Sequence, residues 1–391
     1  MSTMSGGTAI AGMGQTSFSA SPSRGGLSLA LEAISACATD AGIDVKDIDG
    51  LVRFTIDGSA NDQILVQNLG IRDLAFSVEV PFYGGSACAA VGTAAAAVHA
   101  GLARNVVVYR ACTPWDFAQF ARRSAAAVWA TQAGVAEFLR PYGWLSMMDT
   151  YALVYEAHRA KFDTTTEQLG HVAVAIREAA QKNPNALLKD HPLTLEDHRD
   201  SPVVSGRLTV ADIVMGASDG ACAVLVTSLD RANDMPQKPV VILGAAAGIG
   251  PQPSLNWEMH LFREDPTVSP AAYVAPRLFR MAGLEPADVD VAQIYDCSTM
   301  NVLLQLEDYG FCPKGEAGAF AASGAIRAGG KLPITTSGGL LAEANVHGFN
   351  LVTEAVRQVR GTSSAQVPDV EVELVTSSVP CPTSALLLGP S

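Results

Sequence analysis

The sequence predicts an α/β fold in which two similar halves each combine a parallel or mixed sheet with covering helices. Apolar, β-branched segments alternate with Ala-rich helical segments along the 391 residues, a pattern typical of strands covered by helices. One segment of the first half, DAGIDVKDIDGLVRF (40–54), aligns without a gap with MAGLEPADVDVAQIY (281–295) in the second. Hydrophobic residues make up 48% of the chain and charged residues 17%, which indicates tight packing.

The first half begins with the strand TAIAGMG, a helix over 25–42 and the strand IDGLVRF. The segment VPFYGGSACAAVGTAAAAVHAGLARNVVVYRA (80–111) then predicts a strand, a Gly-Gly elbow at residues 83–86, a small-residue helix and another strand. A helix that starts at a tight elbow stabilises negative charge there through its N-terminal N–H groups. The elbow is therefore the first candidate site.

The second half repeats this order of elements with different spacing. Its successive segments are KPVVILGAAAGIG (238–250), a helix near 270–283, VDVAQIYDCSTMNVLLQLEDYGF, GGLLAEANVHGFNLVTEAVRQVRG and VEVELVTSSVPCPTSALLL. We therefore divide the chain into 1–236 and 237–391. The first half also contains an inserted cap at about 112–210, followed by a predicted strand pair around DGACAVLVTS (219–228).

Charge and cysteine usage restrict the partners and the compartment. A net charge of −13 argues against nucleic acid or an anionic membrane as the main partner. No apolar run reaches the length of a membrane span, and the N-terminal segment lacks the basic and apolar regions of a secretory signal. The seven cysteines are scattered and form no CxxC pair, so we expect free thiols in the cytoplasm and neither a disulfide framework nor a zinc site.

Motifs in both halves together resemble the thiolase superfamily, in the branch of sterol-carrier-protein-like thiolases and lipid-transfer proteins. They are the elbow segment, YDCSTMNVLLQLEDYGFCPKGEAG (295–318) and TSGGLLAEANVHGFN (336–350). Within that branch the chain is most similar to actinobacterial steroid side-chain aldolases, through the pieces YGG, DGLVRFTID, PLTLEDHRDS and YD…QLEDYGFC. The resemblance implies a thiolase fold, with duplicated βαβαβαββ halves in a five-layered α-β-α-β-α sandwich.

At the elbow, the resemblance places the thiolase nucleophile at Gly84, or at Gly85 with a one-residue slip, and neither can be acylated. Ser86 has no evident base beside it in sequence and is a far weaker nucleophile than a thiolate. Cys88 lies one helical turn further on, and we interpret it as a small core cysteine; a thiolase that uses Cys88 stays as an alternative. Gly84, Gly85 and Ser86 are then predicted to contact the substrate, because a glycine elbow brings backbone N–H groups close to a ligand and leaves room for a bulky one.

The next thiolase loop corresponds to Tyr295-Asp296, where thiolases carry an Asn-Glu or His-Asp pair. Tyr295 follows the strand VDVAQI, at the strand end where sites collect in α/β sheets. Its phenol can exchange a hydrogen bond with a substrate hydroxyl, which makes it a catalytic candidate, with Asp296 as a substrate-binding neighbour. The alternative is an ordinary strand-end aromatic whose hydroxyl lies in water.

Gly338 and Gly339 are predicted to contact the substrate. Aligned from these two glycines, Asn345 takes the place of the activating histidine of thiolases, where the side-chain aldolases carry tyrosine. Asparagine cannot act as a base, but its amide N–H can stabilise an oxyanion. His347 is the nearby group whose ordinary pKa lies near neutrality. It is either a third catalytic candidate or a cap of the helix NLVTEAVRQVR, and the sequence leaves both open.

Two further groups are weaker candidates. Cys381 lies near the second thiolase cysteine, between prolines that fix its loop, and we expect it only to line the pocket. Asp116, Arg122 and Arg123 follow a first-half strand. A solvated surface explains these three residues more simply than contacts with CoA phosphates or with a neighbouring subunit.

The resemblance implies retro-aldol cleavage of a β-hydroxyacyl-CoA. The implied substrate is a 17-hydroxy steroid acyl-CoA with a three-carbon side chain, which gives a 17-keto steroid and propionyl-CoA. CoA is part of the substrate, and no metal or redox cofactor is implied in this chain. Two alternatives stay open: a thiolase or acyltransferase that uses Cys88, and a non-catalytic acyl-CoA-binding scaffold subunit.

The resemblance also implies partners. Thiolases are dimers whose elbow helices pack together, and the run AAVGTAAAAVHAGLA suits such close packing. Aldolases of the branch work with a small protein that combines an OB-fold with a zinc ribbon. Because this chain has no CxxC pair, we expect zinc only in that partner and predict an α2β2 assembly.

Overall fold

A computed structural model describes residues 5–21, 24–54, 61–115, 118, 139–214, 216–251, 257–377 and 382–391. The strands in these ranges are β1 Thr8–Gln15, β2 Gly50–Arg53, β3 Phe76–Glu79, β4 Val106–Cys112, β5 Val203–Ser205, β6 Leu208–Thr209, β7 Gly220–Ser228, β8 Val240–Gly248, β9 Val291–Gln293, β10 Glu373–Thr376 and β11 Thr383–Pro390. The α-helices are α1 Gly26–Ala41, α2 Asp62–Leu69, α3 Ser86–His99, α4 Met147–Phe162, α5 Thr166–Ala180, α6 Leu195–Asp200, α7 Leu229–Asn233, α8 Ala271–Ala282, α9 Thr299–Asp308, α10 Ala317–Ala322 and α11 Phe349–Arg360. Short 3-10 turns lie at Val45–Asp47, Tyr83–Gly85, Arg140–Tyr142, Val210–Asp212, Trp257–Phe262 and Pro286–Asp288, and Gly339–Glu343 is a π-helical turn. None of the helices in the described ranges has the length and apolar character needed to cross a membrane.

The strands of the two halves follow one another in the same order. Nine strands form one mixed sheet, β3-β2-β4-β7-β1-β8-β11-β10-β9, in which β1 and β8 meet antiparallel. Outward from that junction, the first half runs β1, β7, β4, β2, β3 and the second runs β8, β11, β10, β9. Both halves have two antiparallel pairings followed by a parallel one. A parallel bridge between Ala292 and Ile334 takes the place that β3 holds beside β2, so the predicted duplication extends to strand order and direction.

The helices and the strands of the two halves form successive layers. Helices α3 and α11 each contact strands of both halves, while α1 packs on β1, β7 and β4, and α8 packs on β8 and β11. The order is therefore α1, first-half strands, α3 with α11, second-half strands, α8. This confirms the predicted five-layered α-β-α-β-α arrangement. The Ala-rich sequence of α3 suits its central position, because small side chains allow strands to pack closely on several sides.

The two segments aligned in the sequence have the same local structure. α1 ends at Gly42 and α8 ends at Gly283, with φ angles of 70° and 69°. A glycine in this left-handed conformation terminates a helix without steric cost. A 3-10 turn then leads into β2 in the first half, and the equivalent turn leads to β9 in the second. Local sequence signals therefore determine this repeated unit.

The predicted strand pair at 219–228 is wrong. These residues form one nine-residue strand, β7, which lies between β1 and β4 in the main sheet. Its residues are buried on both faces, and a nearly continuous apolar run is typical of such a central strand. The small two-stranded sheet of this region is formed instead by β5 and β6. Together with α4, α5 and α6 it belongs to the segment between β4 and β7.

Candidate active site

The elbow is a tight turn with no room for a side chain at its second glycine. A Cβ atom on Gly85 would lie 1.8 Å from the carbonyl oxygen of Pro382. The Ser384 hydroxyl donates to the Gly85 carbonyl over 2.5 Å. The elbow therefore packs directly on the segment that enters β11. Gly84 is buried beside it, so a thiolase-like acyl acceptor is absent at both predicted positions.

The two nucleophile candidates that follow the elbow are both engaged in the core. The Ser86 hydroxyl accepts a hydrogen bond from the Phe82 N–H over 2.8 Å. Cys88 is 1% exposed, and its Sγ donates to the Val375 carbonyl over 3.5 Å. Burial raises the pKa of the Cys88 thiol to about 12. The thiol is therefore protonated near neutral pH, and the thiolate that acyl transfer requires does not form.

Tyr295 lies just beyond the end of β9 and is held on both sides of its backbone. Its N–H donates to the Thr376 hydroxyl over 3.0 Å, and its carbonyl accepts from the Gln305 amide over 2.8 Å. The residue is only 3% exposed. A Cβ atom on Gly348 would lie 2.6 Å from the ring carbons Cδ2 and Cε2. The tyrosine is thus enclosed by the loop before α11 and is not a surface aromatic.

Asp296 fixes the glycine loop that faces it. Its carboxylate accepts hydrogen bonds from the N–H groups of Leu340 at 2.8 Å and Leu341 at 3.1 Å. A Cβ atom on Gly339 would lie 2.4 Å from one carboxylate oxygen, and Gly338 has a φ of 100°. Burial raises the pKa of Asp296 to about 7. Asp296 is 0% exposed, and both of its carboxylate oxygens are engaged with this loop.

A second buried carboxyl group supports the same loop and was not singled out from the sequence. Glu343 is 0% exposed and accepts hydrogen bonds from Asn183, Ser337 and Asn350 at 2.9, 2.7 and 2.8 Å. Burial raises the pKa of Glu343 to about 7, and its charge contributes to the raised pKa of Asp296. An acid within the apolar run GGLLAEANVHGF is the signal that could have identified it.

Asn345 is tied to the loop that precedes β7. Its side-chain amide donates to the Gly216 carbonyl over 2.6 Å, and its side-chain oxygen accepts from the His347 N–H over 3.1 Å. Its backbone N–H donates to the Ser218 hydroxyl over 3.1 Å. The amide nitrogen carries two hydrogens, and Gly216 takes one of them. The other has no acceptor among the described residues, and Asn345 lines the adjoining cavity.

His347 donates its backbone N–H to Asn345 and immediately precedes Gly348, the residue that meets the Tyr295 ring. Its backbone has a φ of 57°, and its ring centroid is 6.1 Å from that of Phe54. The N-cap of α11 is Gly348 and not His347. The position that helix capping would require is therefore taken by the glycine.

Contacts through the end of β10 join the predicted residues into one region. The Cys88 N–H donates to the Ser377 hydroxyl over 3.1 Å, and the neighbouring Thr376 binds the Tyr295 N–H. Through Gly348, the tyrosine then reaches the Asn345 loop. These contacts thus connect the elbow helix to Tyr295, and Tyr295 to the loop of Asn345. Four predicted residues lie outside the described part of the chain: Asp116, Arg122, Arg123 and Cys381.

A cavity of about 410 Å³ adjoins Asn345. The Leu187 and Leu188 N–H groups donate to the carbonyls of Glu343 and Ala342 at 2.9 and 3.1 Å, so the inserted region folds back onto the site loop. The apolar walls include Leu187, Leu188, Leu193, Ile213, Leu340 and Leu341. Its size and lining suit a hydrophobic ligand. The sequence alone did not place these residues together.

Comparison with known proteins decides the family. Residues 254–385 match the family described as thiolase C-terminal domain-like. The chain is 40% identical over 396 residues to a steroid side-chain-cleaving aldolase of Thermomonospora curvata, which covers 100% of this chain and 99% of that protein. The chain belongs to this family of thiolase-like aldolases. It is also 40% identical over 389 residues to the 17-hydroxy-3-oxo-4-pregnene-20-carboxyl-CoA lyase of Mycobacterium tuberculosis, covering 99% of this chain and 100% of that protein.

The fold of this family member agrees with a solved relative. A structure described as an Ltp2-ChsH2(DUF35) aldolase superposes with a TM-score of 0.91 at 40% identity, covering 100% of this chain and 99% of that one. Membership makes the chain a carbon–carbon lyase. The glycine elbow is consistent with this, because a lyase needs no acyl-accepting thiol.

Proposed function

We propose that this protein cleaves the three-carbon side chain of a 17-hydroxy steroid acyl-CoA by a retro-aldol reaction, giving a 17-keto steroid and propionyl-CoA. The relatives named above support the steroid acyl-CoA class. The observation that carries the proposal is the combination of a glycine elbow with the buried Tyr295, which packs against Gly348 in the loop of Asn345. This arrangement lacks an acyl acceptor but keeps polar groups for a hydroxyl and an enolate.

The reaction begins at the substrate hydroxyl. A base removes its proton, the Cα–Cβ bond breaks, the ketone leaves, and the bond electrons pass into the thioester as an enolate. Tyr295 is the proposed partner of the hydroxyl. An ordinary phenol has a pKa of about 10 and burial alone disfavours its charged form, so a hydrogen bond or a positive charge has to offset the burial of Tyr295 for it to act as a base near neutrality.

Asn345 is the proposed donor to the enolate oxygen. Its second amide hydrogen is directed by the bonds that Gly216 and His347 make to the same side chain. A fixed donor of this kind contributes about 3–4 kcal/mol to the transition state. Gly84 and Ser86 lie at the start of α3, whose N-terminus adds a field of the same sign, while the Gly85 N–H donates to the Phe82 carbonyl over 2.8 Å.

His347 is the proposed proton source for the enolate. It lies two residues from Asn345 and one from Gly348, which contacts the tyrosine ring. Protonation of the enolate carbon completes propionyl-CoA, and the free enzyme is restored once the base has released the proton that it took and His347 has regained one from solvent. An imidazole suits this step because its ordinary pKa lies close to the working pH.

The assembly that we propose is a homodimer that binds two copies of a small OB-fold and zinc-ribbon partner. The solved relative is an aldolase described with a DUF35 component. In this chain β3 is an edge strand of the sheet, and an edge strand readily pairs with another chain. An open groove of about 470 Å³ runs between β3 and α3, with Val78, Val80, Phe82, Ala89 and Ala96 in its walls. A second copy of this chain is its proposed occupant.

Light scattering of the co-expressed proteins tests the assembly. A monodisperse, fully active monomer of 40.7 kDa would contradict it.

The reaction is tested by mass spectrometry of the products formed by the purified protein with its partner. A 17-hydroxy steroid acyl-CoA is expected to give equal amounts of ketone and propionyl-CoA with no free CoA consumed. A thiolase would consume free CoA, and a scaffold would release no ketone. Two measurements test the thiolase alternative: Cys88→Ala is expected to change kcat by no more than a few-fold, and iodoacetamide at neutral pH is expected to leave Cys88 of the wild-type protein unlabelled.

A further inference from the structure

A single basic side chain faces the apolar cavity beside Asn345. Among the described residues that line it, Arg177 on α5 is the one cation, and it shares the lining with leucine and isoleucine residues and with Glu343. The cavity also contains Asn345, the proposed enolate donor. A ligand that fills it therefore meets an amide at one place and a guanidinium at another.

Arg177 keeps donors that no group in the described protein uses. Its Nη1 donates to the His191 carbonyl over 2.8 Å, while Nε is buried without a partner among the described residues. No described carboxylate pairs with it, and the neighbouring Glu178 pairs with Arg327 instead. Burial lowers the pKa of Arg177. Arg177 is half-buried, so the enclosed Nε is the donor that gains most from an oxygen acceptor.

The residues that line the cavity restrict the chemical class of the group that accepts a hydrogen bond from Arg177. Leucine and isoleucine side chains favour a rigid hydrocarbon, and one cation cannot neutralise the several charges of CoA phosphates. A single oxygen carried on a hydrocarbon skeleton fits both features. The relative from Mycobacterium tuberculosis acts on a 3-oxo compound, which carries such an oxygen on the ring system, remote from the 17-hydroxy position.

We infer that Arg177 is a specificity-determining residue that donates to the ring oxygen at the end of the steroid remote from the bond that breaks. This inference rests on the proposed function, and it names the ring oxygen as the feature by which the substrate is selected. The reacting end lies at Asn345 and Tyr295, and the ring system extends along the leucine walls to α5. Arg177 binds substrate and takes no part in proton transfer.

The test compares two acyl-CoA substrates, with and without the 3-oxo group, using the protein with its partner. Arg177→Met is expected to lower kcat/KM for the 3-oxo substrate by about 10–100-fold, the range of a hydrogen bond to a charged group. The 3-deoxy substrate is expected to change by less than about 3-fold. Arg199→Met, which removes an arginine that is 68% exposed on α6, is the matched control. Equal losses on both substrates, or no loss on either, would overturn the assignment.

A binding measurement separates this inference from the aldolase reaction. Calorimetry with the steroid 3,17-diketone and with its 3-deoxy analogue needs no turnover. Wild-type protein is expected to prefer the diketone by about 10-fold or more, and Arg177→Met is expected to lose the preference. If the preference holds but no cleavage occurs, the proposed function fails and the inference stands. If Arg177→Met instead weakens binding of free CoA, or the wild type shows no preference, the inference is wrong.

Discussion

Gly348 leaves the space that the ring of Tyr295 occupies: a Cβ atom on this glycine would lie 2.6 Å from two ring carbons. The glycine also has a φ of 82°, which other residues rarely adopt. Because Gly348 is the N-cap of α11, the start of that helix fixes the position of the tyrosine. The candidate base is thus positioned by backbone geometry.

Gly348→Ala is expected to displace Tyr295 and to lower kcat by at least 10-fold. Gly361→Ala is the matched control, because Gly361 ends the same helix with a φ of 76° and a Cβ atom on it would meet nothing within 4 Å. Both variants bear the cost of a left-handed alanine, about 1–2 kcal/mol. Only Gly348→Ala adds the clash. Equal activity in the two variants, at matched unfolding free energies, would show that the contact does not position the ring.

Tyr295→Phe removes one oxygen from a residue that otherwise keeps its packing. We expect kcat to fall by about 10²-fold or more, since a general acid–base group typically supplies that factor. Thermal unfolding is the control and should shift little, because the ring contact with Gly348 is retained. A loss of only a few-fold would mean that Tyr295 is a bystander.

Asn345→Asp tests the donor role with almost no change of shape. The aspartate keeps an oxygen that accepts from the His347 N–H but loses both amide hydrogens, including the one given to Gly216. A donor to the enolate acts mainly in the transition state, so kcat should fall by about 10²-fold with a small change in KM. Asn345→Ala should fall similarly. If only KM changes, the oxyanion role is wrong.

Glu343→Gln tests the buried carboxyl group through the pH dependence of stability. The pKa of Glu343 is raised to about 7 in the folded protein, so between about pH 4.5 and 7 the folded state binds more protons than the unfolded state. This group therefore lowers stability as pH rises through that window and adds no further change above it. The variant lacks this penalty.

The expected result is a difference in unfolding free energy, variant minus wild type, that rises by roughly 2–3 kcal/mol between pH 5 and 8. Denaturant titrations at several pH values measure it. The lost hydrogen bonds to Ser337 and Asn350 give an offset that does not vary with pH. A pH-independent difference would show that Glu343 is ionised at the same pH in both states.

Sequence signals predicted the parts of the fold that depend on local chemistry. The glycines that end α1 and α8, and the small-residue elbow before α3, are short-range features, and the structure has them where expected. The strand β7 was misread because its central position depends on which strands flank it. The sequence of residues 219–228 by itself does not predict that β1 and β4 are the neighbouring strands.

The site was predicted less completely for the same reason. Tyr295 and Asn345 follow recognisable motifs, but the roles of Asp296 and Glu343 depend on backbone N–H groups and amides from distant segments. Arg177 faces the cavity only because the inserted region folds back onto the loop at 342–343. Such contacts are tertiary, and spacing along the chain carries no sign of them.

The most direct test of the central claim is cleavage of the 17-hydroxy steroid acyl-CoA in D2O, followed by mass spectrometry of the released propionyl-CoA. A thioester enolate takes its new proton from an exchangeable group of the enzyme. The account predicts a single deuterium at Cα of each propionyl-CoA, one 17-keto steroid per propionyl-CoA, and no consumption of free CoA. Propionyl-CoA without deuterium, or release that requires free CoA, would contradict it.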